Sequence, residues 1–138
     1  MIPVKYISAC LDNSGYAAAA RGYIACLLET GEVDLTCEAV SFETQKTTHG
    51  PLGETIKSLL GKQLTHKIQI IHLTPENFSR FIVPGKYNIG YCTWETDKLP
   101  DPWQNYCNQM DELWVPSDYN IEVFKKSGVT KPIYKILH

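Results

Sequence analysis

Short apolar stretches alternate along the chain with longer segments that have the periodicity of amphipathic helices. The apolar stretches favour β-strands because they are rich in β-branched and aromatic residues and are bounded by turn formers. They span residues 4–10, 33–42, 67–74, 87–94, 112–117 and 132–138. The segments between them predict helices at residues 16–31, 52–62, 75–82, 101–110 and 117–128, and a polar loop at 43–51.

Particular residues predict where the helices begin and end. Asp101 is predicted to be the N-cap of the helix at 101–110, with Pro102 at its first position. Gly31 and Gly128 follow the last periodic residues of two other helices and predict their ends.

The alternation of strands and helices predicts an α/β fold. Successive strands joined by helices form right-handed crossovers, so we expect a mainly parallel sheet of about six strands between two helical layers, a three-layer α/β/α arrangement. The 138 residues are enough for one domain, residues 1–138, with a core of its own. Ligands of such sheets bind at the carboxyl ends of the strands, so strand ends are the places to search for a site.

Composition narrows the class of protein. A net charge of −2 gives the whole chain no attraction to nucleic acids or anionic membranes. No apolar run approaches the roughly 18 residues that span a bilayer, and the first residues lack the plan of a signal peptide, so a cytoplasmic protein without an integral membrane segment is expected. Five cysteines without a C-x-x-C pair predict buried thiols in a reducing compartment and no metal site.

The loop at residues 12–16, with the sequence DNSGY, joins the first predicted strand to the first helix. Gly15 permits a tight turn or the close approach of a ligand, and the N–H groups at a helix start favour an anion. We therefore expect Asn13, Ser14, Gly15 and Tyr16 to face a binding cleft. A plain connection in which Ser14 only caps the helix is the alternative, and a single glycine gives little support for a dinucleotide site.

Three further strand ends carry candidate side chains. His72 has the chemistry of an acid, a base or a hydrogen-bond donor to a sugar, and a structural histidine is the alternative. Trp94 offers an apolar plate for a sugar ring and the carboxylates of Glu95 and Asp97 accept hydrogen bonds from hydroxyls, whereas a solvated acidic turn with a buried tryptophan is the alternative. Ser117 is a weaker candidate, because a helix cap explains it.

Several motifs resemble one enzyme family. They are W-E-T-D-x-L-P at 94–100, M-D-E-L-W-V-P-S-x-Y-N at 110–120 and S-G-V-x-K-P at 127–132, together with the helix-forming segment 14–31 and the strand segment 70–76. In these motifs the chain resembles the N-terminal domain of retaining glycosyltransferases of the family-4 kind, which have the GT-B fold. The resemblance covers nearly the whole chain, and the later half is the more specific.

The resemblance implies a Rossmann-like domain that forms the acceptor-side half of a glycosyltransferase. Such enzymes move a sugar from a nucleotide-sugar donor to an acceptor with retention of configuration, usually without a metal. We expect the C-terminal donor-binding domain to be missing from this chain, which by itself is then inactive and binds no cofactor. The expected partners are a sugar or glycan acceptor, that donor domain and possible further copies of the chain.

The same resemblance suggests roles for particular residues. Glu95 is the candidate catalytic residue, by its place after the fourth strand. Trp94, Thr96 and Asp97 are expected to contact acceptor or donor sugar, with His72 and Ser117 as further substrate contacts, beside the first-loop residues already named.

Two other classes of protein stay open. A stand-alone carbohydrate-binding or regulatory module would bind sugar without catalysis. A nucleotide-binding or response-regulator-like domain of the same general fold is less favoured, because Asp12 stands alone where a regulator needs an acidic cluster. The reading frame beyond codon 138 discriminates between a glycosyltransferase domain and a stand-alone module, since only a glycosyltransferase requires a second Rossmann-like half.

Overall fold

Six strands form one sheet in the computed structural model, which describes residues 1–42, 49–94 and 96–136. The strands are β1 (Ile2–Ser8), β2 (Val33–Ala39), β3 (Ile68–His72), β4 (Tyr87–Tyr91), β5 (Glu112–Val115) and β6 (Ile133–Lys135). The helices are α1 (Gly15–Glu29), α2 (Gly50–Leu59), a 3₁₀ helix (Pro75–Arg80), α3 (Trp103–Asn108) and α4 (Asp118–Lys126). Part of the predicted loop, residues 43–48, lies outside the described residues, as do Glu95 and the end of the last predicted strand at 137–138.

The predicted α/β class is confirmed, and the sheet is parallel throughout. Its strands lie in the order β2-β1-β3-β4-β5-β6, and every neighbouring pair is parallel. Strands alternate with helices on both faces, which is the Rossmann-like three-layer arrangement.

The predicted strands run too far at their carboxyl ends. β4 ends at Tyr91 and not at Trp94, and β5 ends at Val115. After β4 the Cys92 N–H still donates to the Trp114 carbonyl of β5 at 3.2 Å, but the Trp94 N–H donates to the Asn120 side chain at 2.8 Å and leaves the sheet. Trp94 therefore lies in the loop beyond the sheet. After β5, Pro116 and Ser117 lead into the cap of α4.

The predicted start of α3 is wrong. Pro102 occupies the cap position with helical backbone angles, and no side chain caps the helix, so Asp101 is not its N-cap. The cause is a turn in which the Trp103 N–H donates to the Pro100 carbonyl at 2.9 Å, which replaces the expected cap. The predicted ends at Gly31 and Gly128 are confirmed, since both glycines follow their helices with positive φ, 68° and 96°.

Two apolar layers hold the helices against the sheet. On one face α1 and α2 pack over β1 and β2, with the buried side of α1 made by Ala17, Ala20 and Ile24 at helical spacing. On the other face α3, α4 and the 3₁₀ helix cover β3 to β6 around Phe78, Phe124 and other buried residues. The small alanines let α1 lie close to the sheet, which brings its N-terminus over the strand ends.

The strand order places one crevice at a defined position. The chain passes from β1 to β2 on one side and then returns to β3 on the other side of β1. The connections that leave β1 and β3 therefore diverge to opposite faces, and ligands of open α/β sheets bind at such a point.

The cysteine prediction is confirmed for four residues and wrong for one. Cys10, Cys37, Cys92 and Cys107 are buried free thiols, whereas Cys26 is exposed. Cys26 lies on the outer side of α1, where Gly22, four residues earlier, and Glu29, three residues later, are also exposed. Among the described residues, no group of His, Cys, Asp and Glu side chains is arranged to hold a metal ion.

Within the same part of the chain, no helix combines the length and the apolar character that crossing a lipid bilayer requires.

Candidate functional site

The described residues form three cavities along the carboxyl edge of the sheet, and Tyr16 lines each of them. The loop cavity, of 360 Å³, is lined by Ala9, Asp12, Ser14, Tyr16, Phe42, Leu73, Thr74, Glu76 and Asn77. The histidine cavity, of 330 Å³, is lined by Ser14, Gly15, Tyr16, Ala19, His72, Tyr91 and Thr93. The tryptophan cavity, of 260 Å³, is lined by Tyr16, Thr74, Thr93, Trp94, Thr96 and Trp103.

A larger cavity, of 490 Å³, lies beside β2 and residues 60–66, and it contains none of the strand-end candidates. Its lining includes the ion pair between Lys5 and Glu38, whose charged atoms are 2.8 Å apart. Both side chains are partly exposed, so this cavity is a solvated charged groove rather than a candidate site.

Tyr16 joins the first loop to the end of β4. Its hydroxyl accepts a hydrogen bond from the Thr93 N–H at 2.9 Å and donates to the Thr93 carbonyl at 3.2 Å. Burial is the main cause that raises the pKa of Tyr16 above its ordinary value, so the phenol stays protonated and both hydrogen bonds persist at neutral pH. The ring therefore stands as a fixed wall between the three cavities.

His72 lies in an aromatic cluster beneath α1. It is 2% exposed, its Nδ1 is hydrogen-bonded to the Tyr6 hydroxyl at 2.8 Å, and its ring stacks on Tyr91 with centroids 4.4 Å apart. Tyr16 and Tyr23 contact it from α1 with centroids 5.5 and 6.0 Å away. A structural role for His72 explains its burial and the hydrogen bond of its Nδ1 with Tyr6. The same residue also lines the histidine cavity.

The hydroxyls of this cluster form a network with the chain that follows β6. The Tyr23 and Tyr91 hydroxyl oxygens are 2.5 Å apart, and they lie 3.0 and 2.6 Å from the carbonyl oxygen of Ile136. Burial is the main cause that raises the pKa of Tyr6, Tyr23 and Tyr91, so these phenols are neutral at physiological pH. The network is thus a set of neutral hydrogen-bond donors and acceptors.

Asn120 connects the loop after β4 to the loop after β5. The buried Asn120 Oδ1 accepts the Trp94 N–H at 2.8 Å, and its Nδ2 donates to the Ser117 hydroxyl at 2.8 Å. Ser117 is the N-cap of α4 and also accepts the Asn120 N–H, at 3.2 Å. Ser117 therefore supports the loop that carries Trp94, and the helix-cap interpretation of Ser117 is confirmed.

Two carboxylates face the loop cavity. Asp12 is buried and accepts hydrogen bonds from the Ser41 hydroxyl at 2.9 Å and the Phe42 N–H at 2.8 Å. Glu76 is exposed and accepts the Thr74 hydroxyl at 2.7 Å. This side of the crevice therefore carries negative charge. The charge of Asp12 is partly compensated by the two hydrogen bonds that it accepts.

The strand-end candidates separate into two groups in the structure. Those that meet at the crevice are Ser14, Gly15, Tyr16, His72, Trp94 and Thr96. Of the other described candidates, Asn13, Asp97 and Ser117 lie at the same edge of the sheet but outside the lining of the three cavities. Ser14 accepts the Ala17 N–H at 3.1 Å, so the cap alternative is also confirmed for it.

The candidate catalytic residue, Glu95, lies outside the described residues. Its neighbours Trp94 and Thr96 both line the tryptophan cavity.

Some lining residues were not predicted from the sequence. Trp103 belongs to the predicted helix at 101–110 and Tyr91 to the interior of the predicted strand at 87–94, so neither stood at a predicted strand end. The signal for Tyr91 was available in the alternation of β4, because Ile89 and Tyr91 share one face while Gly90 faces the other. For Trp103 only the packing of α3 beneath the loop of Trp94 brings the two indoles together, at 4.7 Å between centroids.

No family model, curated protein or solved structure matches the chain at a significant level.

Proposed function

We propose that the chain is the acceptor-side domain of a retaining glycosyltransferase of the GT-B kind. A doubly wound sheet serves many functions, so the proposal depends on the site and not on the fold alone. It begins from the motifs that resemble this enzyme family and adds what surrounds them in the structure.

The observation that carries the proposal is that the W-E-T-D motif and the segment 14–31, which are distant in the chain, line one crevice. The W-E-T-D motif is hydrogen-bonded to the P-S-x-Y-N motif through Asn120, and it is joined to the first βα unit through Tyr16 and Thr93. The contacting residues are separated by 26 and 77 positions in the chain. Tyr16, Trp94 and Thr96 line the tryptophan cavity, and Asn120 holds the backbone of Trp94 from outside it.

The chemistry of the walls supports a sugar as the ligand. Aromatic faces stand beside hydroxyl groups and the carboxylate of Glu76, and this combination suits the apolar faces and the many hydroxyls of a pyranose ring. In this proposal the acceptor lies in the crevice, Glu95 contacts the reacting sugars, and the nucleotide-sugar donor is held by a second half that closes over the same edge.

The test uses the protein encoded by the complete reading frame. Purified protein is incubated with a panel of uridine, guanosine and adenosine diphosphate hexoses and with neutral and anionic glycans, and release of nucleoside diphosphate and formation of product are measured. Glycan-dependent release with the new bond in the donor's anomeric configuration is the expected result. No release from any donor, with glycan binding retained, would favour the non-catalytic carbohydrate-binding module instead.

Glu95→Gln tests the catalytic assignment. We expect transfer to fall by about 100-fold or more, because loss of a positioned acid or base typically costs that much. Asp101→Asn is the matched control, since Asp101 is an exposed carboxylate a few residues away whose side chain is 90% exposed. Near-normal turnover of Glu95→Gln, with Asp101→Asn also active, would remove Glu95 from the site and leave the proposed reaction standing.

A further inference from the structure

The tryptophan cavity differs in chemistry from the rest of the crevice. Among the described residues, its lining consists of three aromatic residues, Tyr16, Trp94 and Trp103, and three threonines, Thr74, Thr93 and Thr96. None of these side chains carries a charge at neutral pH. Its volume of 260 Å³ is slightly below the about 300–1,000 Å³ of pockets for drug-sized ligands, so it suits a single ring.

The aromatic walls are held in place before any ligand arrives. The Trp94 indole N–H donates to the Lys98 carbonyl at 2.8 Å, and the Trp94 ring packs edge to face on Trp103, with the planes inclined at 64°. Tyr16 is fixed by its hydrogen bonds to Thr93. A cavity with fixed walls loses little conformational entropy on binding, which favours a specific ligand.

The threonine hydroxyls already have acceptors for their protons. Thr74 donates to Glu76 at 2.7 Å and also accepts the Asn77 side-chain amide at 3.0 Å, which leaves one acceptor position on its oxygen. Thr93 donates to Asn120 Oδ1 at 3.4 Å, and Thr96 to the Lys98 carbonyl at 3.2 Å. With its proton engaged in this way, a hydroxyl keeps acceptor capacity on its oxygen. The lining therefore offers mainly acceptors, and a ligand rich in O–H donors satisfies them.

The same lining is unfavourable for anionic ligands. A carboxylate or phosphate group has acceptors only, so it cannot pair with such a lining. The neighbouring loop cavity adds the carboxylates of Asp12 and Glu76, and the charge of Glu76 reaches Tyr16, where it contributes to the raised pKa of the phenol. Charge repulsion by these carboxylates and the lack of donors in the lining both weaken the binding of an anionic ligand.

We propose that the tryptophan cavity is the subsite for one uncharged pyranose ring of the acceptor, and that it discriminates against uronic acids and sugar phosphates. The proposal rests on the function proposed above and names the class of its acceptor. The ring lies against the indole of Trp94, and its hydroxyls donate to the threonine oxygens.

The chain offers an internal control for a direct test, because its three tryptophans give three indole N–H signals in a nitrogen–proton NMR spectrum. Trp94 and Trp103 line the cavity, whereas Trp114 lies on β5 and packs on Tyr91. Single Trp→Phe variants assign the signals. The protein is titrated with glucose, galactose, mannose and N-acetylglucosamine, and then with glucuronic and galacturonic acids, which differ from their parent hexoses at one carbon.

The expected result is a saturable shift of the Trp94 and Trp103 signals with at least one neutral sugar, an unmoved Trp114 signal, and binding of the matching acid weaker by about tenfold or more. Equal or tighter binding of the acid overturns the charge discrimination. No shift with any neutral sugar, or an equal shift at Trp114, overturns the subsite.

Single substitutions separate the contribution of the Trp94 ring from that of the Glu76 charge. Trp94→Ala is expected to weaken binding of the neutral sugar by about tenfold, and Trp94→Phe by less, because a smaller aromatic face remains. Trp114→Phe is the matched control and keeps the affinity. Glu76→Gln keeps an oxygen acceptor for Thr74 but loses the charge, so the ratio of neutral to acidic sugar affinity should fall by about two- to fivefold; an unchanged ratio overturns the part assigned to Glu76.

The result is independent of the transfer assay. Donor turnover by the complete protein together with preferred binding of acids would overturn the subsite and keep the glycosyltransferase. Indole shifts with neutral sugars but without turnover of any donor would keep the sugar subsite and overturn the proposed reaction.

Discussion

Tyr16 is the residue on which the shape of the crevice depends. It lines each of the three cavities, and its hydroxyl forms hydrogen bonds with both backbone groups of Thr93. A phenylalanine at this position would fill the same space but leave the Thr93 N–H without its acceptor, so a defined loss of stability is expected.

We predict that Tyr16→Phe lowers the free energy of unfolding by about 1–2 kcal/mol, the usual consequence of leaving a part-buried donor unsatisfied. Urea denaturation followed by circular dichroism measures the change. Tyr119→Phe is the control, because Tyr119 is 51% exposed on α4, and it should change stability by less than about 0.5 kcal/mol. Equal effects of the two substitutions would show that the Thr93 contact contributes nothing.

Asn120 is the second residue whose role is visible only in the structure. It is 5% exposed and links Trp94 to the cap of α4. Asn120→Ala removes both links, so we predict a loss of about 1–3 kcal/mol and faster hydrogen exchange of the Trp94 amide.

The matched control for this substitution is Asn105→Ala. Asn105 is an exposed residue of α3, so neither the stability nor the exchange rate at Trp94 should change measurably. Unaltered exchange at Trp94 in Asn120→Ala would contradict the role assigned to Asn120 in holding the loop.

At the scale of elements, two glycines have opposite roles. Gly90 lies in β4, where an added Cβ would be 2.8 Å from the Phe78 ring of the 3₁₀ helix and 3.0 Å from Leu113. Phe78 is fully buried and has no free space to move into. Gly22 lies in the middle of α1, exposed, with no atom within 4 Å of an added Cβ. The absence of a side chain is therefore required in the strand and not in the helix.

Alanine at these positions should shift stability in opposite directions. We predict that Gly90→Ala destabilises the protein by about 1–3 kcal/mol through overpacking, and that Gly22→Ala stabilises it by about 0.5–1 kcal/mol, because alanine has the higher helix propensity. Thermal and urea unfolding of both variants provide the comparison. A neutral Gly90→Ala would mean that the 3₁₀ helix can shift away from β4.

At the scale of the whole molecule, the sheet buries groups that ionise in alkali. Burial, assisted by the nearby Cys10 thiol, raises the pKa of Cys37 from 9.0 to about 12. Below about pH 9, the ordinary pKa of the thiol, both the folded and the unfolded chain keep this proton, so the thiol does not reduce the free energy of unfolding. As the pH rises towards the higher value the unfolded chain releases the proton first, so stability is lost.

We therefore predict that the free energy of unfolding declines above about pH 9, and that part of this decline belongs to Cys37. In Cys37→Ala the decline between about pH 8 and about pH 10 should be smaller by about 1 kcal/mol. Urea denaturation of both proteins at the two pH values measures it. Identical declines would show that the Cys37 thiol does not contribute, while Tyr6 and Tyr91, whose pKa values burial also raises, continue to do so.

The sequence by itself determined the order of elements and the parallel sheet, and it predicted the sheet edge at which the candidate residues lie. Ser14 and Gly31 predicted the ends of α1 correctly, because capping depends on backbone groups within a few residues. Apolar periodicity predicted the strands for the same reason, since it reflects which side of a short segment meets the core. Strand ends were less accurate where apolar residues such as Trp94 continue past the last paired residue.

Only the tertiary structure decided which strand-end residues share a cavity. Tyr16 meets Thr93 across 77 positions of the chain, and Trp94 meets Trp103 only because α3 packs beneath its loop. Ser117 has the same kind of sequence position as His72, but the first caps a helix and the second lines a cavity. These distinctions depend on strand order and on packing between distant segments, and local propensity carries no information about either.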